Sequence, residues 1–260
     1  MTTAPEPADE PAFDTGDLLA AYAVADRTEA HLRVNFISSI DGAATHDGLS
    51  GALNNAADKQ VFDTLRRLCD VVIVGAGTVR AEGYVGMRLP EPDAAWRREH
   101  GLAEHPVFAI VSARLALDPA SAVFTDAPVR PIVFTGPAAP ESQRAALAQV
   151  ADVIVCEGPG SAPVTSGAGV PGGIDAHAMR RELAGRGLTQ MLCEGGPHLF
   201  GTLIGADAVD EVCLTVSPVL EGGPAGRIAR GGPQRTLGMR LAHVESAGDM
   251  LFLRYQRRDA

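Results

Sequence analysis

Three short segments bring together residue types that can do chemistry, and each follows an apolar run. Asp70–Val74 (DVVIV) leads into Gly75-Ala76-Gly77-Thr78-Val79-Arg80-Ala81-Glu82. Glycines let a backbone approach a pyrophosphate closely, Thr78 is able to cap a following helix, and first-turn N–H groups attract anionic oxygen. The same pattern also serves as an ordinary strand-to-helix turn, and it lacks the third glycine of a G-x-G-x-x-G fingerprint. Gln190–Cys193 (QMLC) leads into Glu194-Gly195-Gly196-Pro197-His198-Leu199. Structure alone accounts for the glycines and for Pro197 in a first helical turn, but not for an acid at the end of an apolar strand, so Glu194 reads as functional. His198 fits a surface position in that turn better than a catalytic one. Leu32–Ser38 (LRVNFIS) leads into Ser39-Ile40-Asp41-Gly42, where Asp-Gly signals a turn and the acid is also placed to supply a proton or orient a ligand. Finally, Arg66 and Arg67 close a helical segment, either complementing its dipole or offering a bidentate fork to a phosphate.

Other chemistries find no support. There is no G-x-S-x-G elbow, and no His/Asp/Glu cluster has metal-ligand spacing, so no metal is expected. Cys69, Cys156, Cys193 and Cys213 form no C-x-x-C pair, and three of them lie in or at the end of apolar runs, as small buried hydrophobes do.

The elements that must position these groups alternate along the chain. Strands are expected at 32–38, 70–74, 107–111, 131–135, 151–156 and 190–193, with helices at 14–25, 56–68, 140–150 and 176–185 between or before them. Alternation of this kind implies crossovers and a parallel sheet covered on both faces. The pattern then changes: 211–218, 240–246 and 250–257 are strand-like, the last two close enough for a hairpin. The expected fold is therefore α/β, a mostly parallel mixed central sheet with an antiparallel C-terminal hairpin. In such a sheet ligands bind beyond the carboxyl ends of the strands, where the three segments fall. Residues 1–12 are expected to be a disordered tail and 13–260 a single domain. Of the two Gly/Pro-rich stretches, 158–173 reads as a surface loop and 221–233 as either a lid or a linker.

The 260-residue chain carries 22 basic and 32 acidic residues, for a net charge of −10, which argues against a nucleic-acid or anionic-membrane surface. No apolar run approaches the roughly 18 residues of a membrane span, and no secretory pattern opens the chain, so a cytoplasmic location is expected.

Taken together, NFISSIDG, the helix ending Leu65-Arg66, CDVVIVGAGTVRAE and MLCEGGPHLFGTLIGADAVDEVCLTVSPVLEGG resemble the reductase half of the bifunctional riboflavin-biosynthesis deaminase/reductase, over most of 31–257. The resemblance implies a dihydrofolate-reductase-like three-layer fold, a homodimer, and NADPH as hydride donor to C1′ of a ribosylamino-pyrimidine phosphate of the 5-amino-6-(5-phosphoribosylamino)uracil type. It places cofactor contacts at Ile37, Gly77, Thr78, Glu82, Thr135 or Gly136, and along Gly195, Gly196, Pro197, His198 and Leu199 towards Leu203. Substrate contacts fall at Ser50, Arg66, Arg88 and Glu194. Asp41 and Glu194 are the acids for the proton step. Arg80 is our own candidate for the cofactor's 2′-phosphate.

Two departures bear on function. The deaminase zinc signature is absent, which points to a stand-alone reductase, and Asn35 stands where the family usually has Lys, leaving the substrate-side role of Asn35 open. A dihydrofolate or other pteridine reductase, and a non-catalytic nucleotide-binding regulator, are the competing readings. The regulator would need neither Glu194 nor Arg66.

Overall fold

The computed structural model describes residues 13–157 and 173–258, so the expected tail and nearly all of the 158–173 loop lie outside the described residues. Nine strands form one sheet: β1 (His31–Ser39), β2 (Val71–Gly75), β3 (Val107–Val111), β4 (Ile132–Thr135), β5 (Asp152–Val155), β6 (Gln190–Cys193), β7 (Glu211–Ser217), β8 (Met239–Ala247) and β9 (Met250–Arg257). Their order is β5-β4-β3-β2-β6-β1-β7-β9-β8. All neighbours from β5 to β7 pair in parallel, while β9 pairs antiparallel with both β7 and β8. This is the mixed sheet with a C-terminal hairpin that the strand pattern predicts.

Alternation along each strand splits the core in two. Val72 and Val74 of β2 face one layer with Phe108, Ile110 and Leu65, whereas Val71 and Ile73 face the other with Leu32, Val34 and Phe134. Helix α2 (Ala56–Leu68), capped by Asn55 Oδ1 accepting from the Asp58 N–H at 3.0 Å, buries Ala57, Val61 and Leu65 on the first face. Helices α7 (Ala176–Gly185) and α8 (Pro197–Gly205) bury Met179, Leu183, Leu199, Phe200 and Leu203 on the second. The result is a three-layer α/β/α molecule. All four cysteines are buried, with Cys69, Cys193 and Cys213 pushed up to about 12 by burial.

In chain order, the remaining helices are α1 (Thr15–Tyr22), α3 (Ala76–Ala81), α4 (Glu91–Glu99), α5 (Ala122–Thr125) and α6 (Glu141–Leu147). Helices α4 and α5 have no counterpart in the sequence reading. Helix α4 carries Arg97, 1% exposed, whose guanidinium donates to the carbonyls of Arg67 (2.8 Å), Cys69 (2.6 Å) and Ala103 (2.6 Å) and so closes the C-terminal end of α2. Segment 221–233 is neither a free lid nor a linker. Its Arg230 N–H donates to the Pro197 carbonyl, and a Cβ on Gly201 of α8 would stand 2.2 Å from the Arg230 carbonyl oxygen.

Candidate active site

The sheet's carboxyl edge opens into two clefts that share a wall. That wall is built where β2 and β6 run out: the Glu194 N–H donates to the Ile73 carbonyl and the Gly75 N–H to the Gly195 carbonyl, extending the pairing beyond both strands. Gly75 caps α3, so Thr78 lies inside that helix and not at its cap, correcting the sequence reading. The Thr78 Oγ1 instead presses on α8's approach, 2.2 Å from where a Cβ of Gly196 would be. Only glycine at 196 permits that contact.

The first cleft, about 480 Å³, gathers Asn35, Ile37, Ser50, Arg66, Thr78, Glu82, Arg88, Glu194, Gly196 and Pro197 from the predicted set. At its heart Glu194, 8% exposed, accepts from Arg66 Nε at 2.6 Å, Arg66 Nη2 at 2.7 Å and the Tyr84 hydroxyl at 2.9 Å. The Arg66 guanidinium also lies 4.1 Å from the Phe62 ring centroid. Burial opposes the charge on Arg66, but the Glu194 carboxylate outweighs it, and the pKa of Arg66 is raised. Burial, followed by the Glu194 charge, pushes the Tyr84 hydroxyl far above its ordinary value, leaving it a neutral donor. The bidentate fork expected to grip a phosphate is thus turned onto Glu194. Ser50 is tied in as well: its N–H (3.0 Å) and hydroxyl (2.9 Å) both donate to Glu82.

The second cleft, about 350 Å³, lies behind the shared wall and collects Gly77, Arg80, His198 and Leu199 with Ser112, Arg114 and Thr202. Arg80 Nη1 donates to the Ala116 carbonyl at 2.9 Å. His198 is exposed, as its place in a first helical turn predicts.

Some predicted residues are not brought to either cleft. Asp41 is exposed, and its carboxylate accepts from the Ser39 hydroxyl (2.5 Å) and the backbone N–H groups of Glu221 (3.0 Å) and Gly222 (2.8 Å), which hold it at a pKa of about 2. It anchors the start of segment 221–233. Thr135 and Gly136 are buried at the end of β4, and Gly195 is buried behind the wall; none lines either cleft among the described residues. Conversely, the structure adds Tyr84, Phe62, Lys59 and Asp58 to the first cleft and Ser112–Arg114 to the second. The rule that ligands sit beyond strand ends points to 112–114, directly after β3. Asp58 and Tyr84 carry no such signal.

The family model of the RibD C-terminal domain matches residues 30–253. The chain belongs to the RibD C-terminal domain family. Two relatives are named 2,5-diamino-6-ribosylamino-4(3H)-pyrimidinone 5′-phosphate reductase. The one from Methanothermobacter thermautotrophicus is 27% identical over 73% of this chain and 78% of its own. The one from Archaeoglobus fulgidus is 26% identical over 83% of this chain and 93% of its own. Among solved structures, a pyrimidine reductase-like protein from Corynebacterium diphtheriae superposes with a TM-score of 0.80 at 26% identity, covering 95% of this chain and 100% of that one. Membership of the RibD C-terminal domain family makes the chain an oxidoreductase of the pyrimidine-reductase type, which implies a nicotinamide cofactor. Among the described residues no helix is long and apolar enough to cross a membrane, and no group of three or more His, Cys, Asp or Glu is placed to hold a metal.

Proposed function

We propose that this protein uses NADPH to reduce the ribosyl C1′ of a phosphorylated ribosylamino-pyrimidine, the reductase step of riboflavin biosynthesis. The observation that carries the reading is the Arg66–Glu194–Tyr84 cluster in a cleft set across the β2/β6 wall from a second, glycine-walled cleft.

The residues fit an extended dinucleotide. Gly77 has no atom within 4 Å of a would-be Cβ and so leaves the second cleft open. Arg80 and Arg114 are exposed cations lining it, suited to the 2′-phosphate that distinguishes NADPH. The His198 and Leu199 N–H groups lie in the first turn of α8, whose dipole favours anionic oxygen. When bound, the cofactor supplies the hydride. The chain's own groups bind and orient. Thr78, Gly196 and Pro197, on the first cleft's side of the shared wall, would set the nicotinamide against the sugar. Glu194, fixed by its three donors, would orient the sugar hydroxyls. Arg88, exposed and without an ion pair among the described residues, and Lys59 would take the substrate phosphate. Asp41, fully engaged elsewhere, is not carried into the reaction.

A homodimer is part of the same proposal. The register puts Leu241, Val244, Leu251, Leu253 and Tyr255 on one face of the β8–β9 hairpin, opposite the buried Phe252 and Arg254. Val212, Leu214 and Val216 of β7 continue that half-exposed apolar face, which a second copy would cover. We place the enzyme in the cytoplasm, where a reduced nicotinamide cofactor is regenerated. The test is loss of reduced-nicotinamide absorbance with purified protein offered the ribosylamino-pyrimidine phosphate and dihydrofolate in parallel. Turnover of the pyrimidine is the expected result; turnover of dihydrofolate alone overturns the assignment, and reduction of neither favours a regulator.

A further inference from the structure

Ala44, Thr45, Ser50 and Gly51 line the first cleft, and all four flank a tight turn whose tip lies outside it. Asp47 and Gly48 at that tip both have positive φ, 48° and 85°, and His46 and Leu49 exchange backbone hydrogen bonds of 3.1 and 3.0 Å. These are the marks of a two-residue hairpin turn, which is stiff, so whatever fixes its ends fixes the wall. Ser50 holds one end, through its N–H and hydroxyl on Glu82. Segment 221–233 holds the other. The Ala44 N–H donates to the Gly226 carbonyl at 2.8 Å, and His46 Nδ1 lies 2.9 Å from both carboxylate oxygens of Glu221. Among the described residues, no other hydrogen bond ties 45–49 to the rest of the chain. Neither His46 nor Glu221 lines the cleft. The far end of the same segment is bound to α8, where the Arg230 N–H donates to the Pro197 carbonyl.

We propose that His46 and Glu221 are positioning residues: their ion pair holds the 44–51 wall of the first cleft in its substrate-binding shape, so that the phosphorylated pyrimidine binds most tightly while His46 is protonated. The inference rests on the reductase reading above and adds a control on how that site takes its substrate. An exposed ion pair adds little to folding stability, but this one sets where a binding wall stands. The groups that charge His46 are Glu221, from the segment after β7, and Asp47, in its own turn, whose carboxylate lies 3.6 Å from Nε2. Asp41, on the turn after β1, is taken up by the Ser39 hydroxyl and by the N–H groups of Glu221 and Gly222, and so fixes the backbone that carries the Glu221 side chain. The Glu221 hydrogen bond, then the Glu221 and Asp47 charges, raise the His46 pKa above its ordinary value of about 6.5. A group whose folded pKa is raised contributes fully below its unfolded value and loses that contribution as pH rises through the folded one. The clasp is therefore whole in mildly acidic solution and loosens in alkaline solution. Because α8 keeps its own contacts with the segment, the loosening falls on the substrate wall and spares the cofactor.

The experiment measures KM and kcat for the ribosylamino-pyrimidine phosphate, and the NADPH dissociation constant, from about pH 5.5 to about pH 9. It uses wild type, His46→Gln, His46→Lys and Glu221→Gln, each with its melting temperature recorded. The substrate phosphate itself titrates near pH 6, so each variant is read as a ratio to wild type at the same pH. His46→Gln and Glu221→Gln should each raise KM by about threefold to fivefold at the acidic end, the ratio closing to one at the alkaline end. His46→Lys keeps a cation throughout, so it should match wild type at the acidic end and bind substrate more tightly than wild type at the alkaline end. In all three, kcat and NADPH binding should stay within about twofold of wild type. Combining His46→Gln with Glu221→Gln should add nothing to either alone, because both remove one interaction. A KM ratio that does not vary with pH, or KM values unchanged in every variant, overturns the clasp and leaves the reductase reading standing. Equal losses in KM, kcat and NADPH binding also overturn it, since they report general loosening of the fold. If wild type neither binds nor reduces the pyrimidine phosphate, the reductase reading falls and the clasp with it.

Discussion

Glu194 and Arg66 both stand out by type and position, yet their relation to each other is a product of the fold. They are 128 residues apart, and the structure joins them in a two-point ion pair beneath the Tyr84 hydroxyl. Removing either partner leaves the other charge buried and misaims the cluster. Glu194→Gln and Arg66→Ala should each lower kcat/KM by at least tenfold, about 1.4 kcal/mol, in the reduced-nicotinamide assay. Arg66→Lys should not rescue, because an ammonium cannot reproduce the planar fork. Full activity in Arg66→Lys would show that only charge matters there. Local pattern makes Glu194 legible, because an acid at a strand end has no structural excuse. Asp41 has the same signature and a different fate, since the three donors that occupy it include two N–H groups 180 and 181 residues away. Tyr84 and Asp58 are silent in the sequence: a tyrosine after a turn and an aspartate in a first helical turn are ordinary until tertiary packing buries them.

At the scale of elements, strand and helix periodicity locates every strand of the sheet, because parallel strands buried on both faces read as continuous apolar runs. Helix α4 escapes, being built from EPDAAWRRE, whose buried positions include Asp93 and Arg97 and whose role is polar capping of α2. The other illegible feature is how elements clasp one another. Glu211 opens β7 with its side chain fully buried. It pairs with Arg33 of β1, Arg254 of β9 (2.8 Å) and His31 (3.4 Å). Burial alone would raise its pKa, but His31, Arg33 and Arg254 hold it well below the carboxylate range. Since the folded value lies below the unfolded value of about 4.3, its stabilisation is complete above that range and is lost only as pH falls through the lowered folded value. Glu211→Gln should therefore cost about 3–5 kcal/mol at neutral pH and flatten the acid limb of the stability curve in denaturant titrations. An unchanged midpoint would mean the cations find other partners. Likewise Gly201→Ala drives a Cβ to 2.2 Å from the Arg230 backbone oxygen, so segment 221–233 must shift, at about 1–3 kcal/mol by thermal melting.

For the whole molecule, the asymmetry of the sheet is the informative feature. From β5 to β1 helices cover both faces, but the antiparallel end leaves Leu241 (49% exposed), Val244 (51%) and Leu251 (44%) on one surface. A protein of net charge −10 has no need of an apolar face there for solubility, and β8 is also an unpaired edge. Covering the face with its own copy removes both liabilities, since an isologous contact uses one patch twice. Sedimentation at micromolar concentration should then give a dimer. Val244→Arg with Leu251→Arg should give a monomer whose circular dichroism is unchanged, because neither side chain reaches the core that Phe252 and Arg254 occupy on the opposite face. The active-site clefts lie beyond the carboxyl ends of β1, β2 and β6, and no residue of β8 or β9 lines either of them. The monomeric variant should therefore keep its turnover while losing melting temperature. Loss of turnover in a folded monomer would instead mean that the partner subunit completes the site, and a wild-type monomer would leave the apolar face to a different protein.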